Sequence, residues 1–426
     1  MAFDHLILPR RGFLGGAGAA ALTAMLPRAV LADAPTEKRF VLIILRGAMD
    51  GLNVVVPYGD RDYAGLRGDL AIARPGDADG ATDLNGFFGL HPALSDIAPW
   101  YKEGALLPIH AVASPYRDRS HFDGQDLLEN GTLSPRNTES GWLNRALAIM
   151  GGSDRRIGLA VGQTVPLVLR GPTEVASWAP TRIPEADAGF LALVKSLYEG
   201  DKRLSLALAE GIQATQSADE MLGNDWRQQM NGGGERLNEP SGQPGNGQPG
   251  PAPYRGQKIL AEAAGKMLAD ANGPRIAVFD AQGWDTHAGQ GAAKGRLAGA
   301  LNSLSASLTS LRESLGPAWK DTIVLMATEF GRTAHANGTG GTDHGTATAA
   351  LLAGGAVSGG KVLGNWPGLA EGNLYQGRDL MPTTDLRAVM KTVLREHLGL
   401  PWGKLDTVVF PSSSDAKPIA GITSRA

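Results

Sequence analysis

Apolar residues in this chain fall in short unbroken runs separated by longer stretches of helical spacing. The clearest run is Phe40-Val-Leu-Ile-Ile-Leu45, which ends abruptly in Arg46-Gly47-Ala48-Met49-Asp50-Gly51. A strand covered on one face alternates apolar and polar residues, so an unbroken run predicts a strand buried on both faces, as in a parallel sheet. Comparable runs occupy 105–113, 156–161, 165–169, 275–279 and 321–327. Between them, helical patterns cover 141–150, 189–209, 257–271, 295–315 and 384–398. Strands alternating with helices of this length predict an α/β domain with a central, mostly parallel sheet flanked by helices.

Two segments stand outside that pattern. Residues 1–34 carry Arg10-Arg11 ahead of Phe13-Leu14, a Gly/Ala-rich apolar stretch to about Met25, and the small-residue pattern Ala32-Asp33-Ala34. They read as a removable export signal rather than as part of the fold, and the twin arginines resemble a Tat signal, whose translocase carries folded proteins. No later run approaches the length of a membrane helix, so the expectation is a soluble periplasmic or secreted protein without a membrane span. The second segment, 231–256, is half Gly plus Pro. Such a composition buries too little apolar surface to offset the entropy of ordering, so it predicts a flexible excursion within a helical insertion over 184–256. The excursion reads equally as a lid over the sheet or as an inert loop, since long surface loops cost little. The remaining domain spans 35–426.

Composition narrows the chemistry. The chain has no cysteine, which removes disulfides and thiolate ligands, so any metal must be held by His, Asp, Glu or neutral oxygen. Without residues 1–34 the balance is 37 basic to 41 acidic residues, which gives no hint of a nucleic-acid partner.

In open α/β sheets ligands bind beyond the carboxyl ends of the strands, where loops from several strands converge. Unusual polar residues collect at those ends. Asp50 follows the first run, Gly283-Trp-Asp285-Thr-His287 follows 275–279, and Thr328-Glu329-Phe330-Gly331-Arg332 follows 321–327. Asp343-His344 lies a little further on, in a Gly/Thr loop that can fold back over the same edge, its glycines allowing close backbone approach. Two like charges about 4 Å apart repel by roughly 4 kcal/mol at an effective dielectric of 20, so carboxylates gathered there call for a counter-charge. A divalent metal is the simplest one, and thiolate-free Asp/Glu/His ligands suit Zn²⁺ or Mn²⁺ better than a Ca²⁺ cage. Each residue also has an ordinary reading: a turn at Asp50-Gly51, a helix cap at Asp285, an ion pair between Glu329 and Arg332. Arg119-Ser120-His121-Phe122-Asp123 follows the 105–113 run and should open a helix, with Ser120 in the positive field of its N-terminus or simply capping it. His91, His110, His335 and His397 receive no role.

Taken in order, LRGAMDGLN, SHFDGQD, GWLNR, GWDTH, TEFGRT and GTDHG resemble the Tat-exported bacterial family called domain of unknown function 1501. That family is similar in turn to the alkaline phosphatase and sulfatase superfamily, which holds one or two divalent metals at the carboxyl edge of a central sheet. The resemblance implies that Asp50, Asp285, His287, Glu329 and His344 hold metal, with Asp343 beside them. It places Ser120 as the nucleophile and His121 as an extra ligand. The Asp-Thr-His spacing is tighter than usual, and Phe330 stands where a histidine is usual, so a single or altered metal site fits more easily than a pair. The implied activity is metal-dependent hydrolysis of phosphate or sulfate esters. In it the metal lowers the pKa of Ser120 or of a water from 15.7 toward about 7, and Arg332 or Arg46 clamps the anionic ester. The alternatives are a non-catalytic protein using the same edge to hold an envelope polymer or protein partner, and a metal that only stabilises the fold.

Overall fold

The computed structural model describes residues 36–151, 157–179, 188–202, 204–205, 208–209 and 255–424. The expected export signal lies outside the described residues, as does most of the expected insertion at 184–256.

The central sheet has 8 strands. In chain order they are β1 (Arg39–Leu45), β2 (Leu106–Ala113), β3 (Gly158–Val161), β4 (Ala176–Trp178), β5 (Ile276–Ala281), β6 (Thr322–Ala327), β7 (Thr348–Ala353) and β8 (Thr384–Asp385). Across the sheet the order is β8-β2-β7-β6-β1-β5-β3-β4. β1 lies at the centre, parallel to both neighbours, with Phe40 level with Ile276 on one side and Ile323 on the other. β7 alone among these strands runs antiparallel, between β2 and β6.

Both faces are covered, which is why the runs do not alternate. Val41, Ile43 and Leu45 point into a core built with α4 (Arg255–Ala269) and α5 (Arg296–Leu315). Phe40, Leu42 and Ile44 point into a second core with Trp142, Leu143 and Leu147 of α2 (Trp142–Ile149) and Val389, Met390 and Val393 of α6 (Leu386–Glu396). Every side chain of β1 is buried. At about 25 cal/mol per Å² of apolar surface removed from water, these two layers are the main stabilising term. The remaining longer helices are α1 (His121–Asn130), which follows β2, and α3 (Ala188–Tyr198) in the insertion. Among the described residues no helix is long and apolar enough to cross a membrane.

One expectation of local structure fails and one strand carried none, each for a clear reason. Residues 165–169 are not a strand: Leu167–Leu169 form a 3-10 turn after Pro166, which has no N–H to give a central sheet. The strand beside β3 is instead Ala176–Trp178. Thr348–Ala353, the antiparallel strand, had no expectation attached to it, because TAALLA lacks the β-branched run that marked the others.

The histidines without an assigned role include three structural ones. His110 accepts from Ala111 N–H at Nδ1 (2.9 Å) and donates from Nε2 to the Val55 carbonyl (2.8 Å). His91 does the same between Ala93 N–H and the Ala292 carbonyl, and His397 donates to the Arg39 carbonyl (2.8 Å). Burial pushes His110 and His397 down to about 4. Since an unfolded imidazole takes its proton near 6.5, stability should be whole above that pH and fall as pH drops toward 4, by up to about 3 kcal/mol per buried ring. Urea midpoints measured across that window should fall steadily; a flat profile contradicts these burial assignments.

Candidate metal centre

The sheet sets where the site is. β1, β2, β5 and β6 end at one edge, and because β7 runs the other way, it begins there. The loops after β1, β2, β5 and β6 and the segment leading into β7 therefore meet above one stretch of the sheet.

Three of the expected residues converge: ligand atoms of His121, Asp285 and His344 all lie within 4.8 Å of one another. Nε2 of His121 is 3.7 Å from Asp285 Oδ2, and Nε2 of His344 is 4.0 Å from Asp285 Oδ1. His287 adds a fourth group at the rim, its Nε2 2.9 Å from His344 Nε2 and 3.3 Å from Asp285 Oδ1.

The hydrogen bonds behind these rings settle their tautomers. His121 donates from Nδ1 to Glu329 Oε1 at 2.8 Å. His344 donates from Nδ1 to the Arg119 carbonyl at 2.9 Å. His287 donates from Nδ1 to Asp343 Oδ1 at 3.2 Å. All three rings thus turn Nε2 inward, the arrangement by which outer carboxylates and carbonyls orient metal-ligating histidines. Nε2 of His121 is buried without a hydrogen-bond partner. The Nε2 atoms of His287 and His344 face each other at 2.9 Å, a contact that needs either a proton or a cation between them. Burial, before any other cause, lowers His344 to about 4, so its Nε2 keeps a lone pair at neutral pH that can accept from a neighbouring N–H or bind a cation. The donor set therefore fits a divalent cation. The 2.9 Å and 3.3 Å separations match the edges expected around an ion with bonds of roughly 2.0–2.2 Å, and the 3.7 Å and 4.0 Å separations of His121 and His344 from Asp285 are wider than those edges.

Glu329 is fully buried and accepts from His121, Gly47 N–H (3.0 Å) and Gln125 Nε2 (3.1 Å) at Oε1, and from Thr328 Oγ1 (2.8 Å) at Oε2. Burial alone would raise its pKa, but these donors hold it below the ordinary carboxylate range. It lies outside the three-ligand group and backs His121 instead, and it does not pair with Arg332. Asp343 likewise supports His287, kept low first by the Asn337 amide.

Arg332 is not free to clamp an anion. Buried, it donates to the carbonyls of Ala48 (2.8 Å), Thr342 (3.0 Å), Gly47 (2.6 Å) and Trp284 (3.3 Å), and pairs with Asp285 Oδ1. Burial raises Asp285, yet the Arg332 contact outweighs it and holds the carboxyl low. Arg46 is committed as well, to Glu129 (2.9 Å), Asp280 (2.8 Å) and Gln125 (3.1 Å).

Asp50 does not join the three-ligand group. Its Oδ2 is taken by Arg67 and by Gln290 Nε2 (2.6 Å), in a fully buried layer behind the site. Gln290 in turn accepts from Thr286 and Thr342, which ties that layer to the loops carrying Asp285 and Asp343. The crowding of carboxylates is thus relieved in part by two guanidiniums, Arg67 at Asp50 and Arg332 at Asp285. Nothing in the spacing of Arg67, Gln290, Arg119 or Asp379 marks them as partners of these loops.

Ser120 precedes α1 with extended backbone and no capping bond, and its hydroxyl makes no hydrogen bond with any described residue. Phe330 stacks on His121 with ring centres 5.0 Å apart and lies 5.2 Å from His344, so the residue standing where a histidine was usual is the apolar floor of the site. The glycines around Asp343-His344 have a steric cause. A Cβ on Gly341 would sit 2.3 Å from the His287 carbonyl oxygen, and one on Gly345 2.3 Å from the Arg332 carbonyl carbon. The segment pairs as a short antiparallel ribbon with 331–333, including Gly345 N–H to the Gly331 carbonyl at 2.8 Å.

A mostly parallel α/β sheet with a cluster of His and Asp at its carboxyl edge defines the class. Residues 96–409 match the family described as "Protein of unknown function (DUF1501)", and the chain belongs to that family. Comparison with curated proteins gave no match. Among solved structures the chain is similar to the lipoteichoic acid synthase LtaP from Listeria monocytogenes, at TM-score 0.36 and 10% identity over 93% of this chain and 80% of that one. It is also similar to a 2-O GAG sulfatase, at TM-score 0.31 and 14% identity over 77% and 66% of the two chains.

Proposed function

We propose that this protein is an exported, metal-dependent hydrolase of phosphate or sulfate esters, carried out of the cytoplasm by the Tat translocase. The observation that carries the reading is the convergence of the Nε2 atoms of His121 and His344 on the Asp285 carboxylate, with His287 Nε2 at the rim. A bound Zn²⁺ or Mn²⁺ supplies a Lewis acid there that screens an anionic ester and acidifies an attacking hydroxyl. Asp285 contributes the ligand charge, and Arg332 keeps that carboxyl ionised and aimed. Glu329 and the Arg119 carbonyl keep His121 and His344 in the ligating tautomer. Ser120, with an uncommitted hydroxyl at the positive end of α1, would serve as nucleophile, and the N–H groups of that helix end would meet the anion in place of a guanidinium.

The commitment of both Arg332 and Arg46 favours one rival, a non-catalytic protein that holds an anionic envelope polymer or a protein partner at the same edge. Purified protein should contain close to one equivalent of metal by elemental analysis and should turn over at least one member of a panel of aryl phosphates, phosphodiesters and sulfates. A metal-free protein that cannot be loaded overturns the metal reading. Bound metal with silence across the panel overturns the hydrolase and leaves the rival.

A further inference from the structure

We infer that Asp379 is a positioning residue for His344, acting through Arg119; the role rests on the metal reading above. Asp379 is fully buried, and its Oδ2 accepts from Nε (3.0 Å) and Nη2 (2.7 Å) of Arg119. The same oxygen accepts from Thr346 Oγ1 at 2.8 Å. One carboxylate oxygen therefore holds both halves of a single contact. Arg119 carries the carbonyl that takes the Nδ1 proton of His344, and Thr346 lies on the ribbon that carries His344 itself.

The clamp is strong enough to fix an unfavourable backbone. Arg119 sits at φ +60°, a left-handed conformation that residues with a Cβ rarely adopt. Its guanidinium is further held by Gln376 Oε1 at 2.8 Å. Asp379 is fixed in turn by paired backbone bonds with Tyr375 (2.8 and 3.1 Å), and the adjacent Arg378 donates to the His344 carbonyl at 2.6 Å. Release of Arg119 would let its carbonyl swing away, and His344 would lose the acceptor that fixes its proton on Nδ1. Its Nε2 could then carry the proton and could no longer bind a cation.

The test is Asp379→Asn, which keeps the volume and removes the charge. In metal-free protein, long-range proton–nitrogen correlation spectra separate imidazole tautomers, and the chain has only 8 histidines to resolve, with His344→Gln supplying the assignment. The parent should show His344 protonated on Nδ1, and Asp379→Asn should move it toward the Nε2–H form. Zn²⁺ affinity, read by chelator competition, should weaken by about 10–100-fold, the usual loss when an outer partner of a ligating histidine is removed. A merely structural ion pair would lower the melting temperature without moving the tautomer. If Asp379→Asn does not fold, Asp379→Asn with Arg119→Gln removes both charges together and should give the same two shifts. A folded variant with the parent's tautomer and the parent's affinity overturns the role. A parent that binds no Zn²⁺ overturns the metal reading, and the metal-free tautomer shift then decides the role of Asp379 alone.

Discussion

Replacing His344 by alanine is expected to weaken divalent-metal affinity by more than about 100-fold while leaving the fold standing, because losing a ligand costs more than losing its outer partner. His344 is part-exposed, and its ring meets other site groups rather than either main core, so little packing is lost. Asp285→Asn should do the same by a different route: it removes the only carboxylate of the three-ligand group and leaves Arg332 uncompensated beside the site. Asp50→Asn should instead keep the metal, since that carboxylate is engaged by Arg67 and Gln290, and should cost stability. Metal content after dialysis, measured beside melting curves, separates the cases. Retained metal in His344→Ala, or lost metal in Asp50→Asn, would show that the cation is held elsewhere.

The second large effect is on stability. Arg332→Ala should destabilise the protein by about 3–5 kcal/mol, the usual consequence of breaking a buried charged pair from one side. Four carbonyls and the Asp285 carboxylate lose their donor at once. Arg332→Lys should rescue little, because a single ammonium cannot reproduce the planar fork that spans the loops after β1, β5 and β6. Denaturant midpoints give the magnitude. An anion-clamping arginine with free donors would behave otherwise, raising KM and leaving stability untouched, and that outcome would restore the clamp and refute the buried knot.

The comparison of Arg332 with His344 also shows what the sequence made legible. Strand β1 could be read because burial on both faces leaves an unbroken apolar run, and β2, β5 and β6 for the same reason. The site's location followed from a rule about strand ends, and His121, Asp285, His287 and His344 do meet there. What the sequence could not give was the partner of each charge. Asp50 and Asp285 look equivalent along the chain, each after a strand and near a glycine, yet one faces Arg67 and the other three imidazoles. Glu329 and Arg332 are three residues apart and invite a local pair, but Gly331 and the ribbon turn them to different neighbours. Pro166 was visible and should have outweighed the apolar character of 165–169. β7 carried no such mark, since alanine is at home in either kind of element.

β1 is the first described strand to leave the ribosome, yet its two neighbours, β5 and β6, begin at Ile276 and Thr322. The middle of the sheet must therefore wait, greasy and unpaired, for more than half of the polypeptide to be made, and the loops it anchors wait with it. Long-range pairing of this kind is slow and prone to clumping. An ion cannot seed such a molecule from the start; it can only lock the door once His344, the last of the three clustered groups, has arrived. Shortened versions ending before that point should be treated as lacking the centre altogether, whatever portion of the sheet they manage to build.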